Sequence, residues 1–191
     1  AGGDLFMILT FGAIASLVLG IGMTVSACYI FLAIVLAPAI IQGGIDPLAA
    51  HLYVLYWGVL SFITPPVAIA AITASSISKT SALKTGFLSM RLGSILFFLP
   101  ILFVFDSSML MQGNTIDILK AVLIAIFAII IISSSFEGYI YKIGNINKII
   151  RVIYFISGVL ILMPNLTSKY IGLIILIVTT ILLLVLKLNN K

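Results

Sequence analysis

Long apolar runs alternate with short polar clusters along the whole chain, and the runs are of two kinds. Leu83 to Phe105, Ile116 to Ser134, Val152 to Met163 and Tyr170 to Leu188 read as ordinary membrane-spanning helices, because about 20 apolar residues cross a hydrocarbon core of about 30 Å. The third is short, and adding Ile149 and Ile150 brings it to a plausible length. Two earlier regions, Leu5 to Ile41 and Leu48 to Ser78, differ in that helix-breaking residues interrupt each of them midway.

In the first region Gly20-Ile21-Gly22-Met23-Thr24 separates two apolar stretches of about 15 residues, each reaching about 22 Å as a helix, so neither half spans comfortably. Two short helices meeting at a glycine-rich tip make a re-entrant hairpin, with Gly20 and Gly22 permitting positive φ where the chain reverses. One long tilted helix that tolerates its glycines is the alternative. The second region breaks at Thr64-Pro65-Pro66, since neither proline has an amide hydrogen and each disfavours helix in the residue before it. Its halves, Leu48 to Ile63 and Val67 to Ser78, are together long enough to cross once, which predicts a discontinuous span, with a kinked helix as the alternative.

The predicted fold class is all-α integral membrane. A re-entrant hairpin covers residues 5–38, a broken transmembrane helix 48–78, and about four transmembrane helices 83–191. Breaks rich in Gly, Pro, Thr and Ser dominate before Ser107, and Ile and Leu runs dominate after it. Residues 1–82 are taken as the part that handles solutes and residues 83–191 as scaffold. If the hairpin starts and ends outside and the broken span crosses inward, Lys79, Lys84, Arg91, Lys142, Lys148, Arg151, Lys187 and Lys191 fall inside, leaving Lys120 and Lys169 as the exceptions among ten basic residues. Asp4, Asp46, Asp106 and Asp117 then lie outside, Glu137 lies inside, and the C-terminus is cytoplasmic.

Composition makes the bilayer unavoidable. Only 8% of the 191 residues are charged and mean hydropathy is +1.37, against about 25% charged in soluble domains. The net charge of +5 does not indicate nucleic acid, because the cations flank apolar segments instead of gathering on one solvated face. Cys28, the single cysteine, excludes an internal disulfide or a multi-cysteine metal site. The apolar regions hold one acid, Asp117 at the start of its run, and one histidine, His51, so nucleophile, base and metal ligands do not converge as an enzyme requires, and no cofactor is expected. The start Ala1-Gly2-Gly3-Asp4, without methionine, reads as that of a fragment.

Irregular backbone at membrane depth leaves amides and carbonyls that must be satisfied by protein, water or a ligand. Two such breaks in one chain point to a shared cavity of the kind secondary transporters use, with unwound carbonyls around a cation and half-helix N-termini facing an anionic group. Thr24, Ser26, Ser61 and Thr64 place hydroxyls at the breaks that suit a Na⁺ shell. His51, Arg91, Tyr53, Tyr56 and Trp57 have packing or interfacial roles as the commoner explanation.

The stretch Gly20 to Ala39 (GIGMTVSACYIFLAIVLAPA), Gly44 to His51 (GIDPLAAH) and Ser61 to Ala68 (SFITPPVA) resemble the large membrane subunit of the tripartite ATP-independent periplasmic (TRAP) transporters. Arg91-Leu92-Gly93 and Phe103 to Asp106 bring the fused permeases that work with TAXI-type receptors closest, and Phe136 to Tyr139 is similar to their tail. The resemblance implies the C-terminal part of an elevator-type, Na⁺-coupled importer in a bacterial inner membrane. Its moving domain would contain two inverted repeats, each a hairpin and a broken helix, this chain holding the second. It implies a periplasmic solute-binding protein, the N-terminal part of the permease and a small membrane subunit as partners, and a small organic, carboxylate solute. By that likeness Gly20, Gly22, Met23, Thr24 and Ser26 at the tip, with Ser61, Ile63, Thr64, Pro65 and Pro66 at the break, form one ion site beside the substrate. The chain departs from the family at the tip, where Thr24 stands for an expected proline and Val25 for a hydroxyl residue, so Gly22, Ser26 and Thr64 are the preferred Na⁺ ligands. A channel or a noncatalytic scaffold subunit is the rival class.

Overall fold

The computed structural model describes residues 4–189, with side chains as far as Val185. The chain start at Ala1 to Gly3 and the cationic groups of Lys187 and Lys191 therefore lie outside what is described. Two compact units divide at Leu110 and Met111.

In the first unit, α1 (Leu5–Leu19) begins where the Asp4 carboxylate accepts hydrogen bonds from the amides of Phe6 and Met7, and it ends at Gly20. The chain turns through Gly22, at φ +81°, and α2 (Val25–Val35) starts with the Thr24 hydroxyl accepting from the Ala27 amide. Pro38 then sets off a short α3 (Ala37–Gln42). Asp46 and Pro47 form the N-terminal cap of α4 (Pro47–Leu60), with the Asp46 carboxylate accepting from the amides of Leu48 and Ala49.

The two halves of the hairpin both lie on α4. The Tyr53 hydroxyl donates to the Leu9 carbonyl at 2.7 Å and Gly20 meets Gly58, so α1 and α4 run in the same direction. Cys28 meets Gly58 while Tyr29 meets His51, so α2 runs the opposite way and the chain has reversed between them. Leu9, Ala13, Cys28, Leu32, Ile40, Ala50, Tyr53 and Val54 form the core of this arrangement. At 15 and 11 residues the halves reach about 22 and about 16 Å, short of a bilayer core. The predicted hairpin is therefore present, but Gly20 is not one of its positive-φ residues, since its φ is −65°.

The second break is wider than predicted. Helix stops at Leu60 and resumes with α5 (Ile69–Ser78), leaving residues 61–68 irregular, with a cis Pro65–Pro66 bond and Ala68 at φ +37°. The hydroxyls of Ser61 and Thr64 account for the early stop by donating to the carbonyls of Gly58 and Leu60, which no longer need a following helical turn.

Residues 83–105, expected as one straight span, are a bent pair. Helix α6 (Ala82–Leu92) ends at Gly93, a single 3₁₀ turn covers Ser94–Phe97, and α7 (Leu99–Phe105) leaves at 69°. Pro100 removes the amide that would have carried the helix through, and Gly93 gives the bend its start.

The second unit is three antiparallel helices, α8 (Thr115–Glu137), α9 (Lys148–Leu162) and α10 (Leu166–Asn189). Gly158 packs on Ile132, Gly172 on the Ser157 carbonyl, and the hydroxyls of Tyr154 and Thr180 are 2.6 Å apart. Gly138, at φ +70°, closes α8 and leads into a hairpin of two-residue strands, β1 (Tyr139–Ile140) and β2 (Gly144–Asn145). Among the described residues, α8 and Leu166–Val185 of α10 are long and apolar enough to cross a membrane, and the bent pair makes a third if it is one span. The 15-residue α9 reaches about 22 Å, so four ordinary spans become two or three.

Candidate functional site

Helix termini converge at the two breaks. Helices α1 and α4 both present carbonyl ends there and α2 and α5 amide ends, the arrangement in which half-helix dipoles act on ions. The two breaks touch at one point. A Cβ added to Gly20 would lie 2.5 Å from the Gly58 carbonyl oxygen and 2.6 Å from the Ser61 hydroxyl, so only glycine admits this approach. Gly58 is held from the other side by the Cys28 sulfur, which would sit 3.0 Å from a Cβ there.

The loop of the second break is seated on α6. A Cβ at Gly86 would meet Pro65 at 2.8 Å and one at Gly93 would meet Ile63 at 2.9 Å. These two glycines, seven residues apart and thus on one face, form notches into which the loop fits.

Among the described residues no backbone amide bonds to the carbonyls of Gly20, Ile21, Gly22 or Met23, nor to those of Ile63, Pro65 or Pro66. Such bare carbonyls, with hydroxyls alongside, are the donor set that a hard monovalent cation takes. The hydroxyls of Ser61 and Thr64 donate their hydrogens to α4 carbonyls at 2.7 Å each, so each oxygen keeps its lone pairs as an acceptor. Ser61 is buried and Thr64 half-buried.

The expected site residues therefore divide into groups. Gly20 and Ser61 are in contact, and Ile63, Thr64 and Pro65 lie on the loop held by α6. Met23 packs against the core, whereas Gly22, Thr24, Ser26 and Pro66 are exposed. His51 pairs with the Tyr29 hydroxyl at 3.1 Å, Tyr53 bonds to Leu9, and Tyr56 packs edge-on to Phe103.

One residue at this place is absent from the sequence-based set. Ser16 is fully buried one helical turn before Gly20, and its hydroxyl has no hydrogen-bond partner among the described residues. Its signal is the spacing Gly12, Ser16, Gly20, a stripe of small residues at every fourth position that lets another helix approach closely. Trp57 is similar in that its indole nitrogen is buried and makes no hydrogen bond of good geometry among the described residues, with the ring edge-on to Phe97. It borders an apolar cavity of about 310 Å³ between α1, α4 and α7, lined among others by Phe6, Leu9, Ile101 and Phe105.

Neither a curated protein nor a solved structure matches the chain. The family model described as "Tripartite ATP-independent periplasmic transporter, DctM component" matches residues 1–113, which contain both helix breaks and all of the loop's seat on α6. With more than half of its length matched, this membrane-embedded chain belongs to the DctM family and is a permease component of a tripartite ATP-independent periplasmic transporter.

Proposed function

We propose that the junction of the two breaks is a Na⁺ site that couples ion entry to uptake of a small organic carboxylate across the bacterial inner membrane. The observation that supports this reading is the approach of Gly20 to Gly58 and Ser61, which joins two breaks that each hold carbonyls accepting no backbone amide among the described residues. Thr64 is the principal side-chain ligand, with its oxygen freed by donation to Leu60. Gly22 contributes its carbonyl and Ser26 its hydroxyl when the exposed tip closes on the ion. The amide ends of α2 and α5 face the solute carboxylate.

In this reading a periplasmic binding protein delivers the solute, and the remainder of the permease and a small membrane subunit complete the transporter. The basic ends of the helices, Lys79, Lys84, Arg91, Lys142, Lys148 and Arg151, lie on the cytoplasmic side together with the C-terminus.

The test is uptake by the complete transporter in proteoliposomes with its binding protein. Thr64→Ala lowers Na⁺ affinity about tenfold, the loss of one hydroxyl ligand worth about 1.4 kcal/mol, and Thr64→Ser restores most of it. Unchanged Na⁺ dependence in Thr64→Ala overturns the site, and solute flow that needs neither a Na⁺ gradient nor the binding protein establishes a channel instead.

A further inference from the structure

The second unit carries a charged cleft far along the chain from both breaks. Arg151 lies one turn into α9 and reaches back to α8, where its Nε donates to the Ser135 carbonyl at 2.8 Å and an Nη2 hydrogen goes to the Phe136 carbonyl. The Ser135 hydroxyl returns the contact by donating to the Arg151 carbonyl at 2.6 Å. This fixes the guanidinium over Gly138, where a Cβ would meet Nη1 at 3.1 Å. A guanidinium has five N–H donors, so the capping of α8 leaves most of them without a partner among the described residues.

Beside it is a cleft of about 300 Å³ lined by Ser135, Phe136, Arg151, Val152 and Phe155. One end is cationic and the rest is apolar, the profile of an amphiphile lying with its head at the ends of the helices and its chain along them. The surrounding charge agrees. Lys142, Lys148 and Arg151 stand at this end of the unit with Glu137, three cations to one anion. Arg151 and Lys148 also sit in the first turn of α9, where the helix dipole adds positive potential.

We propose that this cleft binds an anionic phospholipid, its phosphate held by the outer Nη hydrogens of Arg151 and by Lys148, and the start of an acyl chain lying along Val152 and Phe155. The polar end of the cleft coincides with the termini of α8 and α9, the depth at which headgroups lie, and basic pockets between helices at that depth select anionic headgroups. Inorganic phosphate shares the headgroup chemistry but has no use for the apolar part, which is what separates the two ligands.

The test uses the whole chain purified from nanodiscs of mixed phosphatidylglycerol and phosphatidylcholine, with retained lipid read by native mass spectrometry. The wild type retains phosphatidylglycerol preferentially, and Lys148→Gln, which leaves the α8 cap intact, reduces the preference about fivefold for the loss of one basic contact. Val152→Trp fills the apolar part without touching the cap and reduces it similarly, while melting in phosphatidylcholine alone stays at the wild-type temperature. Equal retention by the wild type and both variants overturns the proposal, as does stabilisation by inorganic phosphate that matches stabilisation by phosphatidylglycerol. Arg151→Gln is expected to lose both lipid preference and thermal stability, and a variant that keeps the preference also overturns it.

Discussion

At the scale of single residues, two glycines two positions apart do different work. Gly20 has an ordinary helical φ and is required for space, whereas Gly22 has φ +81° and no atom within 4 Å of an added Cβ, so it is required for conformation. Gly20→Ala is accordingly expected to force the first break off Gly58 and Ser61, costing about 1–3 kcal/mol in overpacking and abolishing Na⁺-dependent uptake. Gly22→Ala costs about 1–2 kcal/mol through left-handed strain, with the contact preserved and transport reduced but present. Thermal melting in detergent beside uptake separates them, and equal transport loss in both variants contradicts the assignment. The tip glycines were legible in the sequence because glycines within an apolar run are conspicuous, but their separate causes were not, since closeness to Gly58 depends on how α1 lies on α4. Ser16 escaped for a related reason: one serine within a fifteen-residue apolar helix is unremarkable until the every-fourth spacing of Gly12, Ser16 and Gly20 is counted.

At the scale of elements, a break marked by paired prolines was readable, and a bend at a single proline or one shaped by packing was not. Pro65 and Pro66 lack amides, so the ladder had to open there whatever surrounds them. The corner after Gly93 has Gly93 and Pro100 as its local causes, but it lies where α6 accepts Ile63 from thirty residues upstream, and hydropathy averaged over 83–105 gives no sign of it. The wider extent of the second break has the same origin, because hydroxyl donation from Ser61 and Thr64 to α4 carbonyls is visible only in three dimensions. Glycines again set the spacing in the three-helix unit, where a Cβ at Gly158 would lie 2.6 Å from Ile132 Cγ1 and one at Gly172 would lie 2.8 Å from the Ser157 carbonyl oxygen. Gly172→Ala therefore meets backbone that cannot yield, and a destabilisation of about 1–3 kcal/mol is expected in detergent melting. Gly158→Ala meets a side chain, so Ile132→Ala in the same chain should recover part of the loss. Strict additivity of the two changes would show that the pair is not in contact.

At the scale of the whole molecule, the family match ends at residue 113 and the first compact unit at Leu110, so the part of the chain that matches the family and the part that packs as one body nearly coincide. The division at residue 82 falls inside that unit, at the first residue of α6. The orientation proposed from charge is checked by cysteine labelling in whole cells. Cysteines at Asp46 and Asp106 should react from the periplasm and one at Lys79 only from the cytoplasm, against a low background because the native Cys28 is 2% exposed. The reverse pattern inverts the topology. The seat of the second break on α6 limits how this unit can deform. Ile63 and Pro65 occupy side-chain-free notches about two helical turns apart, and the loop cannot slide along the helix without climbing out of both. Any displacement of the loop during a transport cycle thus drags α6 and the 69° corner behind it, making that corner a crank driven directly by the backbone of the proposed ion site.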